Sequence, residues 1–135
     1  MTISPKVASL ARAALLAVLF IGIAAALKHT PADYIDPELA RRIVGVMTAG
    51  IVILYANMVP KSLTPLAALQ CDPAAEQALR RFTGIVLVLG GIGYALAWMF
   101  APLDSANAIA MALLGAALAV VLVRLGVAAS RRAPR

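Results

Sequence analysis

Long apolar stretches alternate with short polar segments along this chain. Ile43–Pro60, Phe82–Phe100 and Ser105–Val123 contain no charged residue, and Val7–Leu27 contains only Arg12. A helix that crosses the hydrocarbon core of a bilayer needs about 20 apolar residues. The pattern therefore predicts an all-α membrane protein with four transmembrane helices in an antiparallel bundle. The expected spans are residues 7–27, 41–59, 80–100 and 105–125.

Two Asp-Pro steps mark the expected starts of the second and third helices. Asp36-Pro37-Glu38 supplies an N-cap, a proline in the first turn and an acid at the positive end of the helix, and Asp72-Pro73 repeats the device. We therefore expect helices over about Pro37–Met58 and Pro73–Phe100. At ~1.5 Å per residue the third helix is about 42 Å long, so its first two turns should project from a hydrocarbon core of ~30 Å.

The composition agrees with a membrane protein. The chain is 63% hydrophobic and only 13% charged, whereas about a quarter of a soluble domain is charged. Four spans and their connections use nearly all of the 135 residues. We therefore expect one transmembrane domain over residues 1–135, ending in a basic disordered tail at 130–135. The first apolar stretch is interpreted as a retained helix, because Lys28-His29-Thr30 is not a small-residue cleavage site.

The basic residues are distributed unequally between the two sides of the predicted spans. If the N-terminus is inside, the inner side carries nine of them: Lys6, Arg12, Lys61, Arg80, Arg81, Arg124, Arg131, Arg132 and Arg135. The outer side carries three: Lys28, Arg41 and Arg42. Short cytoplasmic loops are enriched in Lys and Arg. This predicts a multi-pass protein of the bacterial inner membrane with both termini cytoplasmic. The net charge of +6 is interpreted as topological and as attraction to anionic lipids, not as a nucleic-acid signal.

Small residues are concentrated in the third and fourth spans. Small residues let membrane helices approach closely, and packing drives their association where no hydrophobic effect operates. One interpretation is tight packing between these two helices, because the short turn Ala101–Asp104 already makes them antiparallel neighbours. The other is a face for a partner or a second copy. The candidate packing residues are Gly84, Gly90, Gly91, Gly93 and Gly115.

Polar chemistry is concentrated where the second helix ends and the third begins. Asn57 can hydrogen-bond across helices to a partner, or it can cap the carbonyls that Pro60 leaves free. Arg80 and Arg81 can anchor the third helix topologically, or they can contact a lipid phosphate or a partner carboxylate. The candidate contact residues for a membrane partner are Asn57, Lys61, Arg80 and Arg81.

The sequence shows no catalytic motif. It contains no HExxH motif, phosphate-binding loop or Ser-His-Asp set. A single histidine, His29, cannot provide two haem ligands, and a single cysteine, Cys71, excludes a disulfide framework and a cysteine metal cluster. We therefore expect no enzyme activity, no cofactor and no metal. Cation-coupled transport usually needs an ionisable residue in the span, and Ala13–Leu27 lacks the glutamate that small four-helix multidrug transporters carry there.

The segment Asn57-x-x-Pro60-Lys61, at the end of an apolar helix, resembles the SdpI/YfhL-type family of small integral membrane proteins. The basic helix start Arg80-Arg81 and the following Gly84 stand at comparable places, so the resemblance covers about residues 43–100. The family's connection carries a Gly-Ile-Arg-Thr-Pro-Trp-like stretch, of which this chain has Thr64-Pro65. The family contains immunity and signalling proteins for a bacterial toxin peptide, so the resemblance implies a similar role.

Three functional hypotheses follow. The first is a non-enzymatic membrane protein that binds another membrane component, in the manner of an SdpI-like immunity or signalling factor. The second is an accessory structural subunit of a larger membrane complex. The third is a small oligomeric transporter. The expected partners are the bilayer with its anionic cytoplasmic lipids and a membrane protein, a peptide or a second copy of the chain.

Overall fold

The structure is all-helical, as predicted. The computed structural model describes residues 5–61 and 73–130, except for the side chains of residues 5–10, 12, 61 and 73. Asp72, Cys71, Thr64-Pro65 and positions 131–135 of the predicted tail lie outside the described residues. The helices are α1 (Pro5–His29), α2 (Pro37–Met58), α3 (Pro73–Phe100) and α4 (Leu103–Ser130), with a 3-10 turn at Val59–Lys61 after α2.

The chain divides into two compact units, Met1–Val44 and Gly45–Arg135, and the boundary falls within α2. In the first unit, the start of α2 has the predicted cap. The carboxylate of Asp36 accepts a hydrogen bond of 2.8 Å from the backbone N–H of Glu38, which satisfies one of the donors that a helix start leaves without a partner. Glu38 then forms an exposed ion pair of 2.8 Å with Arg42, one turn later.

In the second unit, the last turns of α2 pack with α3 and α4 through small side chains. A core cluster joins Ala49 of α2, Tyr94 and Ala97 of α3, and Ala110 of α4. Only Ala101 and Pro102 separate α3 from α4, and Ala101 donates a hydrogen bond of 2.9 Å to the carbonyl of Ala97. The short connection folds α3 and α4 into a helical hairpin.

Large apolar side chains lie mainly on the outside of this unit, and alanines fill its interior. Leu89 is 62% exposed and Val123 is 67% exposed, whereas Ala49, Ala106 and Ala110 are fully buried. In water such a surface would be an aggregation site, whereas lipid solvates it and helices meet through small residues. The distribution therefore identifies a membrane protein.

Three helices in the described part of the chain are long and apolar enough to span a membrane: Pro37–Met58, Ala74–Phe100 and Leu103–Ser130. The described side chains of α1 form a shorter apolar helix, Ala13–His29. A fourth span over residues 7–27 therefore stays a prediction, as do the four-helix bundle and its orientation.

Candidate functional site

The candidate site is built around the point where α2 ends. Pro60 has no backbone N–H and cannot continue an α-helix, so the chain tightens into the 3-10 turn Val59–Lys61. The proline ring lies against Gly84 of α3. A Cβ added at Gly84 would lie 2.7 Å from Pro60 Cγ and 3.2 Å from the carbonyl oxygen of Ala56. Only glycine lets the turn approach α3 this closely.

A polar contact fixes the same turn to the first turns of α3. The amide nitrogen Nε2 of Gln77 donates a long hydrogen bond of 3.5 Å to the carbonyl oxygen of Pro60. Gln77 stands seven residues before Gly84, so both residues lie on the same face of α3. The end of α2 is therefore held by a ring contact and a hydrogen bond, two turns apart along α3.

Arg80 is the buried charge of this region. Its side chain is 6% exposed, and its guanidinium forms an ion pair with Glu76, one turn earlier, through Nη2 and through Nε at 3.1 Å from Oε1. A glutamate four residues before a cation is the favourable orientation for a helical pair. A carboxylate of this chain therefore neutralises the arginine, which supports a structural role for Arg80.

The other predicted contact residues are on the surface or outside the described side chains. Arg81 and Asn57 are exposed. Consecutive helical residues point about 100° apart, which is why Arg81 faces outward although Arg80 is buried. The backbone of Lys61 belongs to the 3-10 turn, and its side chain lies outside the described residues.

Thr83 adds a buried hydroxyl near Arg80. Its side chain is 6% exposed, and Oγ1 has no hydrogen-bond partner among the residues that the structure describes. In helices a threonine hydroxyl commonly bonds a carbonyl of the preceding turn. No sequence pattern selects Thr83 or Gln77, whereas the four-residue spacing of Glu76 and Arg80 is a visible signal for their ion pair.

The predicted packing glycines serve two different neighbours of α3. A Cβ added at Gly90 would lie 2.6 Å from Cβ of Ala117 in α4, and one at Gly93 would lie 3.4 Å from Leu113. A Cβ at Gly91 would lie 2.7 Å from Ile53 of α2. One at Gly115 would meet nothing within 4 Å in the described part of the chain.

Gly45 was not predicted as a packing residue, although a methyl group there would overlap the indole of Trp98. The close contacts of Gly45, Gly84 and Gly91 all join α2 to α3. The spacing of glycines within α2 does not indicate which helix Gly45 contacts, because the tertiary fold determines that neighbour.

Within the described residues, no group of three or more His, Cys, Asp or Glu side chains could hold a metal ion. The described residues of the site form a surface with one part-buried ion pair and with exposed polar side chains at its edge. No family model, curated protein or solved structure matches this chain.

Proposed function

We propose that this chain is a non-enzymatic protein of the bacterial inner membrane that acts by binding another membrane component. It has four spans in an antiparallel bundle, with both termini cytoplasmic. The contact surface is the polar rim, defined as Asn57–Lys61 together with Gln77, Arg80 and Arg81. The role that the sequence resemblance favours is SdpI-like immunity or signalling toward a toxin peptide.

One observation carries this proposal: the end of α2 is fixed against α3. Pro60 packs on Gly84 and accepts the hydrogen bond of Gln77. A rigid support lowers the entropy that exposed side chains lose when they bind a partner. Asn57 and Arg81 are exposed beside this support, so the amide and the guanidinium can be offered to a peptide or a helix at the membrane surface.

The charge distribution favours binding over transport. The apolar stretch of α3 from Phe82 to Phe100 and that of α4 from Ser105 to Val123 carry no charge. Arg80 lies just outside the first of these stretches and is neutralised by Glu76. An ion-coupled carrier normally exposes an ionisable side chain to an internal pathway. The exposed polar groups of the rim instead lie at a helix end, where a partner can reach them.

Site-specific crosslinking tests the binding surface in intact membranes. A photoreactive amino acid is placed at Asn57 or Arg81, and the matched control is placed at Leu118, an exposed apolar residue of α4. We expect one discrete adduct from the rim positions and only lipid adducts from Leu118. Adducts of similar strength at all three positions would favour an accessory subunit surrounded by other proteins. An adduct at Leu118 alone would overturn the proposed rim.

The specific immunity role has its own assay. Cells that express the chain are exposed to bacteria that secrete a membrane-active toxin peptide, and survival is compared for Asn57→Ala, Lys61→Ala and the control Leu118→Ala. We expect the two rim variants to lose protection at equal expression while the control keeps it. Full protection by both rim variants would remove Asn57 and Lys61 from the proposed surface.

The orientation is tested by cysteine labelling. In a Cys71→Ser background, a cysteine replaces Ser62 or Asp33, and whole cells are treated with a maleimide that does not cross membranes. We expect labelling at Asp33→Cys and none at Ser62→Cys until the membrane is opened. The reverse pattern would overturn the N-in orientation.

A further inference from the structure

A groove lies between the first turns of α3 and the last turns of α4. Its volume is about 450 Å³. Ala75, Ala78, Leu79 and Phe82 line it from α3, and Arg124, Val127 and Ala128 line it from α4. The lining is apolar except for Arg124, and three of its residues are alanines, whose small side chains leave the space open.

Arg124 is oriented by an aromatic ring. Its guanidinium carbon Cζ lies 5.8 Å from the centroid of the Phe82 ring, within the range of a cation–π contact. The side chain is exposed, and no acidic side chain of the described residues is within ion-pair distance of it. A guanidinium placed over a ring still has N–H donors available for a planar or tetrahedral anion.

The groove begins at the edge of the apolar stretches. The uncharged stretch of α4 ends at Val123 and that of α3 begins at Phe82, so Arg124 and Phe82 stand at the same boundary. Ala75 is seven residues before Phe82 in α3, about 10 Å away at ~1.5 Å per residue. The headgroup layer adds about 5–8 Å on each side of the hydrocarbon core. The groove therefore starts at the edge of the hydrocarbon core and extends through the headgroup layer.

We propose that this groove binds the headgroup of one anionic phospholipid, with its phosphate on the guanidinium of Arg124. The cation complements the negative headgroup, the alanines admit its glycerol portion, and Phe82 lies where the acyl chains enter the hydrocarbon core. The chemistry holds for either leaflet, so the inference does not depend on the orientation of the protein.

This lipid site is separate from the polar rim. On α3 the groove residues Ala75, Leu79 and Phe82 lie within about 60° of one another, whereas Arg80 and Gly84 are more than ~100° from Phe82 around the helix axis. The groove faces α4, and Gly84 faces the end of α2. A failure of partner binding at the rim would therefore leave the lipid inference intact, and the reverse also holds.

Native mass spectrometry of the full chain in mild detergent tests the site. The probes are phosphatidylglycerol and phosphatidylcholine with identical acyl chains, titrated separately. One basic residue near an anionic lipid is worth about a fivefold preference. We expect the wild type and Arg124→Lys to bind phosphatidylglycerol about fivefold more tightly than phosphatidylcholine. Arg124→Gln should bind the two lipids equally. The charge-matched control Arg41→Gln, at an exposed arginine of the other unit, should keep the wild-type preference for phosphatidylglycerol.

A second pair of variants tests the volume of the groove without changing the charge. Ala128→Leu places a large side chain in the groove, and Ala129→Leu places the same side chain on the exposed surface beside it. We expect Ala128→Leu to lower the affinity for phosphatidylglycerol at least threefold and Ala129→Leu to leave this affinity unchanged. This pair remains informative if Arg124→Gln fails to fold.

Three outcomes of the lipid titrations would overturn the proposal. The first is an equal affinity of the wild type for the two lipids, and the second is an unchanged preference in Arg124→Gln. The third is an equal effect of Ala128→Leu and Ala129→Leu. Inorganic phosphate at millimolar concentration should leave the bound phosphatidylglycerol in place. Its displacement would show that the site takes a free anion and not a lipid.

Discussion

Replacing Gly84 by alanine tests whether the end of α2 is held by close packing. The added methyl group would lie 2.7 Å from Pro60 Cγ, 3.0 Å from Pro60 Cδ and 3.2 Å from the carbonyl oxygen of Ala56. The proline ring is stiff and the carbonyl belongs to the backbone, so neither group can relieve the overlap by a side-chain rotation. The 3-10 turn and α3 must separate instead.

The expected magnitude follows from two opposing effects. Overpacking of a close contact costs about 1–3 kcal/mol. Alanine in a helix gains about 0.8–1.0 kcal/mol over glycine through propensity. We therefore expect Gly84→Ala to lower the free energy of unfolding by about 0–2 kcal/mol. Gly115→Ala gains the propensity without the overlap, because a Cβ there meets nothing within 4 Å in the described chain, so it should be more stable than the wild type.

The assay is unfolding in mixed micelles by titration with a denaturing detergent. The chain has one tryptophan, and Trp98 packs beside Gly45 of α2. Its fluorescence therefore reports the association of α2 with α3. We expect a gap of about 1–3 kcal/mol between Gly84→Ala and Gly115→Ala, which is the overpacking cost alone. Equal stability of the two variants would refute the packing argument.

A double-mutant cycle assigns the cost to the proline. Pro60→Ala removes Cγ and Cδ, the two ring atoms nearest to the added methyl group. The combined Gly84→Ala and Pro60→Ala variant should recover part of the lost stability, with a coupling of about 0.5–2 kcal/mol. The carbonyl of Ala56 remains, so recovery should be incomplete. Strict additivity would show that the methyl group strains another part of the chain.

Three further substitutions address the buried groups of the same unit. Glu76→Gln should destabilise the fold by about 3 kcal/mol, because it removes the carboxylate that pairs with the buried guanidinium of Arg80, and the double variant Glu76→Gln/Arg80→Gln should lose less stability in detergent unfolding. Gly45→Ala should cost about 1–3 kcal/mol and shift the emission of Trp98, since the methyl group overlaps the indole; an unchanged spectrum would contradict the contact. Thr83→Val should leave stability unchanged or raise it by about 1 kcal/mol, because it removes a buried hydroxyl that forms no hydrogen bond in the described chain; a loss above that value would reveal a partner.

Local sequence determined the helix boundaries well. The predicted ranges Pro37–Met58 and Pro73–Phe100 are the ranges of α2 and α3. A helix start depends on a few adjacent residues, as the hydrogen bond from the N–H of Glu38 to Asp36 shows. The end of α2 is also local, because Pro60 cannot continue the helical ladder.

The difference between Arg80 and Arg81 could not be predicted from the basic character that they share. Both arginines immediately precede the uncharged stretch Phe82–Phe100 in sequence, and both were candidates for a partner contact. Their environments differ because helical geometry turns one toward the interior of the unit and the other outward. The spacing of Glu76 indicated an ion pair with Arg80, but its burial depends on where the end of α2 packs. The place where the end of α2 packs is determined by the tertiary structure and not by the local sequence.

The glycines of α3 show why its two sides can carry separate chemistry. Gly84 and Gly91 admit α2, and Gly90 and Gly93 admit α4. The helix is thus packed on two sides, with the polar rim beside one interface and the lipid groove within the other. If α3 moves as one rigid element, Gly84→Ala should also change the lipid preference at Arg124. If only the 3-10 turn yields, that preference should stay at its wild-type value. Measuring both properties in one variant therefore separates movement of a helix from movement of a turn.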